Sequence, residues 1–367
     1  MINTADKLAA FLQRLRAAKW VAVDTEADSL HAYPEKVCLI QISTAAGDEL
    51  LDPLAGLDIS PALDALTGHE LIMHGADYDL RMLRKHHEFV PRAVFDTMLA
   101  ARLLGERQFG YGDLVAKFLG VQLEKGAQKA NWALRPLTER LDKYARNDTR
   151  YLKPLEERLR PALRAKGRLA WHQESCARLV AESSRPPEVD GDSVWRIKGC
   201  HLLGRPALAV LRELWHWREA EATHANRPPF FIMSHDSLVG AAAAATTNRP
   251  VAPLLPRHMS ERRLAAFRDA IARGLALPVA QHPEIPRRIS RRPSEAERRR
   301  YMELQAIRDA HGAELDIDPT LIASRATISG LARDWNAHAG ELMNWQRELL
   351  QTRRPTPARP SAKARAE

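Results

Sequence analysis

The sequence predicts an α/β domain in its first half, followed by small all-α helical units. Short apolar runs of strand length, residues 20–23 and 71–73, each lead into polar residues and then into a helical pattern. Beyond about residue 200, apolar residues recur at helical spacing in two separate stretches. At 367 residues the chain is too long for one compact unit, so two or three domains are expected.

The first predicted strand ends in two acidic residues. Apolar residues 20–23 run directly into Asp24, and Glu26 follows two positions later. Because side chains two apart on a strand point to one face, Asp24 and Glu26 are expected to lie side by side. The alternative is a solvated loop after the strand, since Asp-x-Glu is a weak motif on its own.

A third acid, Asp79, follows the second predicted strand. The residues from 77 to 84 carry an apolar stripe and predict a helix. We favour Asp77 as the N-cap of this helix, where its carboxylate would accept a backbone N–H. Asp79 lies in the first turn, where the helix dipole stabilises an acid without any catalytic role, so Asp79 alone is ambiguous. Asp96 precedes a further apolar helical run and is also interpreted as an N-cap.

Tyr144 and the fourth acid, Asp148, lie on a predicted helix with one continuous apolar stripe. Being four residues apart, they share one helical face. Asp148 is either an edge residue paired with Arg146 or Arg150, or a metal ligand with an aligned phenol beside it, and we favour the second interpretation. The stripe consists of Leu137, Leu141, Tyr144, Ala145, Asp148, Tyr151, Leu152 and Leu155.

If the fold brings these acids together, their chemistry points to metal. Carboxylates held close repel each other unless a cation neutralises them. Hard oxygen ligands at this charge density favour Mg²⁺ or Mn²⁺. Two such ions side by side are the usual machinery for cleaving phosphodiesters.

In their order along the chain, the three blocks resemble the exonuclease motifs of the DEDD superfamily, and Tyr144 indicates its tyrosine-bearing branch. Further segments are similar to ribonuclease D, so the resemblance covers roughly residues 1–170. These segments are Lys-Val-Cys-Leu-Ile-Gln-Ile at 36–42, Asp-Thr at 96–97 with Ala-Ala-Arg-Leu-Leu at 100–104, and the run from Lys125 through Gln128, Asn131 and Trp132 to Leu137.

The resemblance implies a ribonuclease H-like α/β fold with a mixed sheet and 3′-to-5′ exonuclease activity on RNA. It implies that one divalent ion activates the attacking water and a second stabilises the leaving 3′ oxygen, so that nucleotides leave as 5′-monophosphates. Tyr144 would orient the water, because a phenol with a pKa of about 10 is a poor base at neutral pH. Precursor tRNA is the substrate that the family suggests. The four metal ligands would be Asp24, Glu26, Asp79 and Asp148.

Five further residues are candidate RNA contacts. Tyr33, in the loop after the first block, could contact unstacked terminal bases, or it could simply pack within its loop. His74 could reach the RNA, although a lone His is more often structural. Lys125 and Gln128 could meet the RNA backbone. Trp132 is either part of that surface or a packing anchor before the next helix, and both interpretations stay open.

The first domain is predicted to span residues 1–183, ending where Ser-Ser-Arg-Pro-Pro breaks a helical region. Residues 200–280 resemble an HRDC domain through a Leu-x-x-Leu-Trp-x-Trp-Arg helix and a Pro-Pro-Phe-Phe segment; any small helical bundle is the alternative. An Arg- and Pro-rich linker leads to a second, divergent helical unit at 295–350, and a relation between the two units stays open. The tail, residues 351–367, is basic and is expected to be disordered.

The basic charge lies outside the acid-bearing domain. The net charge is +9, but residues 1–170 hold 25 Lys and Arg against 23 Asp and Glu, a net +2. Residues 171–367 hold 30 against 23, a net +7. This distribution favours a module that holds a polyanion next to a metal-loading domain, with a generally Arg-rich proteome as the alternative.

The remaining features favour a cytoplasmic monomer that acts on RNA. The three cysteines fit neither a zinc site nor a disulfide framework, and no apolar run is long enough for a membrane span. A DNA exonuclease of the same superfamily and a non-catalytic RNA-binding protein are the rival functions. Metal dependence and a comparison of RNA with DNA substrates would separate these possibilities.

Overall fold

The computed structural model describes residues 1–124, 126–186, 193–284 and 291–351. Lys125, the linker arginines Arg287 and Arg288, and the tail from residue 352 lie outside the described residues. No helix within the described ranges is long and apolar enough to cross a membrane.

A mixed five-stranded sheet forms the centre of the first domain, as predicted. Its order is β3-β2-β1-β4-β5. The central strand β1 pairs antiparallel with β2 and parallel with β4, and β4 pairs parallel with β5. The strands are β1 (Val21–Ala27), β2 (Val37–Thr44), β3 (Gly47–Leu51), β4 (Glu70–Met73) and β5 (Ala93–Asp96).

Helices cover both faces of this sheet. Val21 and Val23 of β1 belong to one apolar core and Ala22 belongs to another, because successive strand residues face opposite ways. The sheet is therefore buried on both sides, and the acidic end of β1 is held rigidly. The helices are α1 (Ala5–Arg16), α2 (Ser60–Thr67), α3 (Asp77–His87), α4 (Thr97–Leu104), α5 (Tyr111–Leu119), α6 (Glu139–Arg150), α7 (Leu152–Ala165) and α8 (Leu169–Ser183).

Two local predictions at helix ends come out differently. Asp96 is the N-cap of α4, since its carboxylate accepts the backbone N–H groups of Met98 and Leu99. The N-cap prediction for Asp77 was wrong. Ala76 precedes α3, and Asp77 makes an exposed ion pair of 2.8 Å with Arg81 one turn later.

The predicted continuous helix after Leu137 is in fact two helices. α6 ends at Arg150 and α7 begins at Leu152, with Tyr151 between them at φ −98° and ψ 2°. The backbone N–H of Tyr151 lies 3.3 Å from the hydroxyl oxygen of Tyr111. The apolar periodicity alone could not reveal this break, because α7 continues the buried stripe.

The C-terminal half contains two helical units with the same plan. Each begins with a 21-residue helix that ends in a left-handed residue, Asn226 or Asp316, and continues with a four-residue helix and then a longer one. Corresponding helices start 90 residues apart, at 205 and 295, 229 and 319, and 235 and 325. The first unit is α9 (Arg205–Ala225), α10 (Pro229–Ile232), α11 (His235–Thr246) and α12 (Glu261–Ala276); the second is α13 (Glu295–Leu315), α14 (Pro319–Ile322), α15 (Arg325–Arg333), α16 (Trp335–His338) and α17 (Asn344–Gln351).

The second helical unit packs directly against the exonuclease domain. Its apolar residues belong to the same core as α4, α5 and α7. The rings of Trp171 and Trp345 stack at 5.0 Å, and the Arg168 guanidinium donates to the carbonyl of Leu315 at 2.6 Å. The shared core makes this unit part of what stabilises the first domain.

Candidate active site

The four acids lie on three elements that meet at the centre of the domain. Asp24 and Glu26 stand in the C-terminal half of β1, Asp79 in the first turn of α3, and Asp148 near the end of α6. The buried carboxylate of Asp79 accepts a 2.5 Å hydrogen bond from the hydroxyl of Thr25, the residue between the two strand acids. This bond ties α3 to β1.

Helix α6 is fixed across the sheet by polar contacts on its buried side. The hydroxyls of Ser43 on β2 and Thr149 on α6 are 2.7 Å apart and buried. Arg146 pairs with Asp142 and Arg150 with Asp48, each at 2.6 Å. The two arginines that could have neutralised Asp148 therefore pair with other acids.

Burial raises the pKa of all four carboxyl groups, and repulsion from other members of the quartet adds to it at Asp24 and Glu26. Burial, then the charges of Asp79, Asp148 and Glu26, raise the pKa of Asp24 well above its ordinary value. Burial, then Asp148 and Asp79, raise the pKa of Glu26 to about 9. Burial raises the pKa of Asp148 to about 7 and that of Asp79 to about 6. The four groups therefore share one electrostatic field.

The donor set suits a divalent cation. All four side chains offer hard oxygen atoms, and across the described part of the chain none of them has an ion pair with Lys, Arg or His. The same residues do not form a closed cage, since no group of three or more His, Cys, Asp and Glu among those described stands at spacing that would hold a metal. The four side chains fit a metal by their charge and by the chemistry of their oxygen atoms.

Tyr144 faces the acid cluster as a neutral phenol. Burial, then the charges of Asp148, Glu26 and Asp24, raise its pKa further above its ordinary value. Its ring lies 6.1 Å from that of Trp132, which supports it from the core. At neutral pH the hydroxyl can donate or accept a hydrogen bond but cannot serve as a base.

An open cleft of about 430 Å³ adjoins Tyr144 and Asp148. One wall is the start of α5, and the other is the segment between α5 and α6, which includes the predicted RNA contact Gln128. The volume falls within the range of small-ligand sites, roughly 300–1,000 Å³. The described lining residues are Gly110, Tyr111, Gly112, Asp113, Ala116, Gln122, Leu123, Glu124, Gly126, Gln128, Tyr144 and Asp148.

Two other predicted RNA contacts, His74 and Tyr33, already make contacts within the protein. His74 bonds to the hydroxyl of Thr97 at 2.9 Å, its ring lies 5.5 Å from that of Tyr111, and burial lowers its pKa. The hydroxyl of Tyr33 donates to Glu219 of α9, and its half-buried ring packs against the core of the first helical unit. Lys125 lies outside the described residues.

Trp132 does not fit a direct RNA contact. Its side chain is 1% exposed and packs within a core that includes Cys38, Leu39 and Ala145. The packing interpretation therefore holds for Trp132. Its position beneath Tyr144 makes it a support for that phenol.

Sequence reasoning missed two residues beside the acid cluster. Tyr111 lines the cleft and donates its hydroxyl to the carbonyl of Asn147 at 2.7 Å, next to Asp148. Gln41 stands directly opposite Asp24 across the β1–β2 pair, is fully buried, and has no partner for either amide atom within the described ranges. A Gln inside the apolar run of β2 was the one available sequence signal, because buried amides usually have partners.

Comparisons with known proteins identify the class. The profile of the family described as 3′-5′ exonuclease matches residues 1–164, and that of the HRDC domain matches residues 207–249. A mixed sheet whose central strand carries two acids, with a third on α3 and a fourth on α6, agrees with the first match, and the unit beginning at α9 agrees with the second. The protein is a 3′-5′ exonuclease with an HRDC domain.

Full-length relatives narrow this class to a family. Ribonuclease D of Acidiphilium cryptum is 31% identical over 359 residues, covering 95% of this chain and 90% of that protein. The chain belongs to the ribonuclease D family of the DEDD superfamily and is a 3′-5′ exoribonuclease, as its motifs predicted.

Two crystal structures share the fold across almost the whole chain. A protein from Bifidobacterium adolescentis has a TM-score of 0.82 at 23% identity, covering 95% of this chain and 94% of that one. Escherichia coli RNase D has a TM-score of 0.72 at 24% identity, covering 96% and 98%. The arrangement of both C-terminal helical units against the exonuclease domain therefore recurs in solved structures.

Proposed function

We propose that this exoribonuclease trims the 3′ ends of structured RNA, including precursor tRNA, by hydrolysis at Asp24, Glu26, Asp79 and Asp148. The observation that carries the proposal is the convergence of these four acids, since the charges of Asp79 and Asp148 raise the pKa of both Asp24 and Glu26. Such a concentration of negative charge on buried and half-buried groups is costly unless divalent cations bind there.

The four carboxylates would hold two divalent ions, Mg²⁺ or Mn²⁺. When bound, these ions would supply an activated water and charge stabilisation at the leaving 3′ oxygen. The Thr25 hydroxyl, which donates to one Asp79 oxygen at 2.5 Å, would hold this carboxylate in place for metal binding. Asp24 and Glu26 are set by β1, so their separation depends on strand geometry and not on a mobile loop.

Tyr144 would orient the attacking water through its neutral hydroxyl. The raised pKa keeps this group protonated, and Trp132 limits the movement of its ring. The terminal nucleotide would occupy the adjoining cleft, whose lining includes Gln128 and Tyr111. We also retain His74 and Lys125 as proposed RNA contacts, together with the ring of Tyr33.

The choice of structured RNA draws on a relative and on charge. The Escherichia coli RNase D structure is described as an exoribonuclease involved in structured RNA processing. In this chain the net +7 of residues 171–367 supplies the polycation that a folded RNA would need. Deleting the whole C-terminal half is a poor test, because the second unit shares its core with the exonuclease domain.

The decisive experiment compares matched substrates on the intact protein. A hairpin with a single-stranded 3′ overhang is prepared with RNA or DNA in the overhang and is incubated with Mg²⁺, Mn²⁺ or chelator. We expect 5′-monophosphates from the RNA overhang only when a divalent ion is present. Equal trimming of DNA would contradict the RNA assignment, and trimming in chelator would contradict the metal proposal.

Replacing Asp148 with Asn is expected to stabilise the metal-free protein. Because the folded-state pKa is raised to about 7, this carboxyl favours the folded state at low pH and loses that contribution as pH rises through 7. Removing the charge should raise the melting temperature in chelator at pH 8.5 by on the order of 1–4 °C, and by less at pH 5.5. Differential scanning fluorimetry measures both values.

Asp142→Asn is the matched control for that prediction. Asp142 lies on the same helix but is paired with Arg146 at 2.6 Å, so its removal should leave stability unchanged or slightly lower. A fall in melting temperature for both variants at pH 8.5 would mean that the charge of Asp148 does not destabilise the folded protein.

We further propose a monomer in a reducing compartment. Cys38, Cys176 and Cys200 are all buried free thiols. Light scattering during gel filtration should give a mass near 41.2 kDa, and a stable dimer mass would contradict the monomer.

A further inference from the structure

A cavity lies between α13 and α15 of the second helical unit, away from the acid cluster. Its volume is about 410 Å³. Apolar and aromatic side chains line it together with several arginines, and Met302 is 64% exposed at its edge. The described lining residues are Arg291, Pro293, Glu297, Arg298, Tyr301, Met302, Ser329, Ala332 and Arg333.

Two arginine side chains at this cavity have no acidic partner in the described part of the chain. Glu297 is satisfied, because it pairs with Arg291 and accepts the backbone N–H of Ser294 at 2.6 Å in a capping box. Arg298 and Arg333 are exposed, and within the described residues neither guanidinium group has an ion pair or a hydrogen bond. Two unpaired guanidinium groups beside an apolar floor form a site for an anion that also has an apolar part.

The internal repeat sets this cavity apart from ordinary core packing. At the positions 90 residues earlier, Arg298 corresponds to Leu208 and Tyr301 to Leu211, and both leucines are buried in the first unit. In the first unit α12 packs on α9 so closely that a Cβ on Gly274 would lie 2.6 Å from the Cα of Val210. The second unit therefore has charged and aromatic side chains where the first has a closed core.

We propose that this cavity binds one nucleotide of the RNA chain, with its base on the apolar floor and the flanking phosphates on the two unpaired arginines. Tyr301 and Met302 offer the floor on which a base can stack, a contact worth roughly 1–3 kcal/mol for an aromatic partner. Arg298 and Arg333 offer bidentate donors for phosphate oxygens. This inference rests on the proposed RNA substrate and identifies where RNA is held while its 3′ end is trimmed.

The test measures RNA affinity in the full-length protein carrying Asp79→Asn, so that the RNA stays intact. Fluorescence anisotropy with a hairpin bearing a 3′ overhang compares Arg298→Gln/Arg333→Gln with the parent at several salt concentrations. We expect an affinity loss of about tenfold, with the slope of log affinity against log salt shallower by about 1.4 for two lost phosphate contacts. Arg16→Gln/Arg92→Gln removes the same charge from exposed arginines of the exonuclease domain and should change both values far less.

A second variant tests the base contact separately. Tyr301→Leu installs the residue type of the first unit, keeps the apolar packing and removes the aromatic ring. We expect an affinity loss of about fivefold or more with an unchanged salt slope, since no charge is lost. If neither cavity variant loses more affinity than the arginine control, the proposal is overturned.

Two further experiments distinguish RNA binding in the cavity from binding of free nucleotide and from the proposed exonuclease function. Uridine monophosphate at millimolar concentration should not displace the hairpin; displacement would assign the cavity to free nucleotide instead of the RNA chain. Cleavage of a short single-stranded RNA by wild type tests the proposed function alone. The two cavity variants with Asp79 intact should cleave that short substrate at the wild-type rate, because it need not reach α13.

Discussion

Asp79→Asn is expected to lower exonuclease turnover on the order of a thousandfold while the protein stays folded. The substitution keeps the size of the side chain and an oxygen that can accept the 2.5 Å hydrogen bond from Thr25. It removes the negative charge and one metal-binding oxygen, a loss that corresponds to about 4 kcal/mol of transition-state stabilisation. Single-turnover hydrolysis of a short RNA in saturating Mg²⁺ measures the effect.

Asp77→Asn is the control on the same helix. Asp77 is two residues earlier, exposed, and engaged with Arg81 at 2.8 Å, so its loss should leave turnover within about twofold of wild type. Similar melting temperatures for the two variants would confirm that folding is not the cause. Near-wild-type turnover in Asp79→Asn would remove Asp79 from the metal site and with it the proposed mechanism.

Sequence reasoning succeeded where one residue's position depends on a local rule. Strand alternation predicts that Asp24 and Glu26 share a face, and apolar runs between polar ends predict β1 and β4. Asp96 caps α4 because its side chain needs only the two backbone groups that follow it. The order of the motifs along the chain then indicated the family, which the spacing of residues within one motif could not.

It failed where position depends on partners distant in sequence. Asp77 is an exception with a local cause, because α3 begins at Asp77 itself, so Ala76 holds the N-cap position and the Asp77 carboxylate pairs with Arg81. Tyr111 reaches the site only because α5 packs on α7 and its hydroxyl meets the end of α6, which no periodicity within α5 reveals. The second helical unit looked separate behind an Arg-rich linker, yet its stacking of Trp345 on Trp171 joins two residues 174 positions apart.

Tyr144→Phe is expected to lower turnover by about a hundredfold with little change in RNA affinity. Only the hydroxyl is lost, so the ring still packs on Trp132 and the four carboxylates are untouched. A single positioned hydrogen bond that acts on the transition state contributes on the order of 10²–10³ in rate, whereas it adds little to the binding of a long RNA. Comparing turnover with affinity measured in Ca²⁺ separates the two effects.

The pH profile distinguishes a water-positioning phenol from a general base. Because burial and the nearby acids raise the pKa of Tyr144, the hydroxyl stays protonated throughout the assay range, and Tyr144→Phe should lower the rate by the same factor from pH 6.5 to 9. A defect that grows with pH would instead indicate that the phenolate takes part. Tyr78→Phe, which removes a hydroxyl from a half-exposed ring on α3, should leave the rate at the wild-type level. An equal loss in both variants would show that the effect is not specific to the phenol beside Asp148.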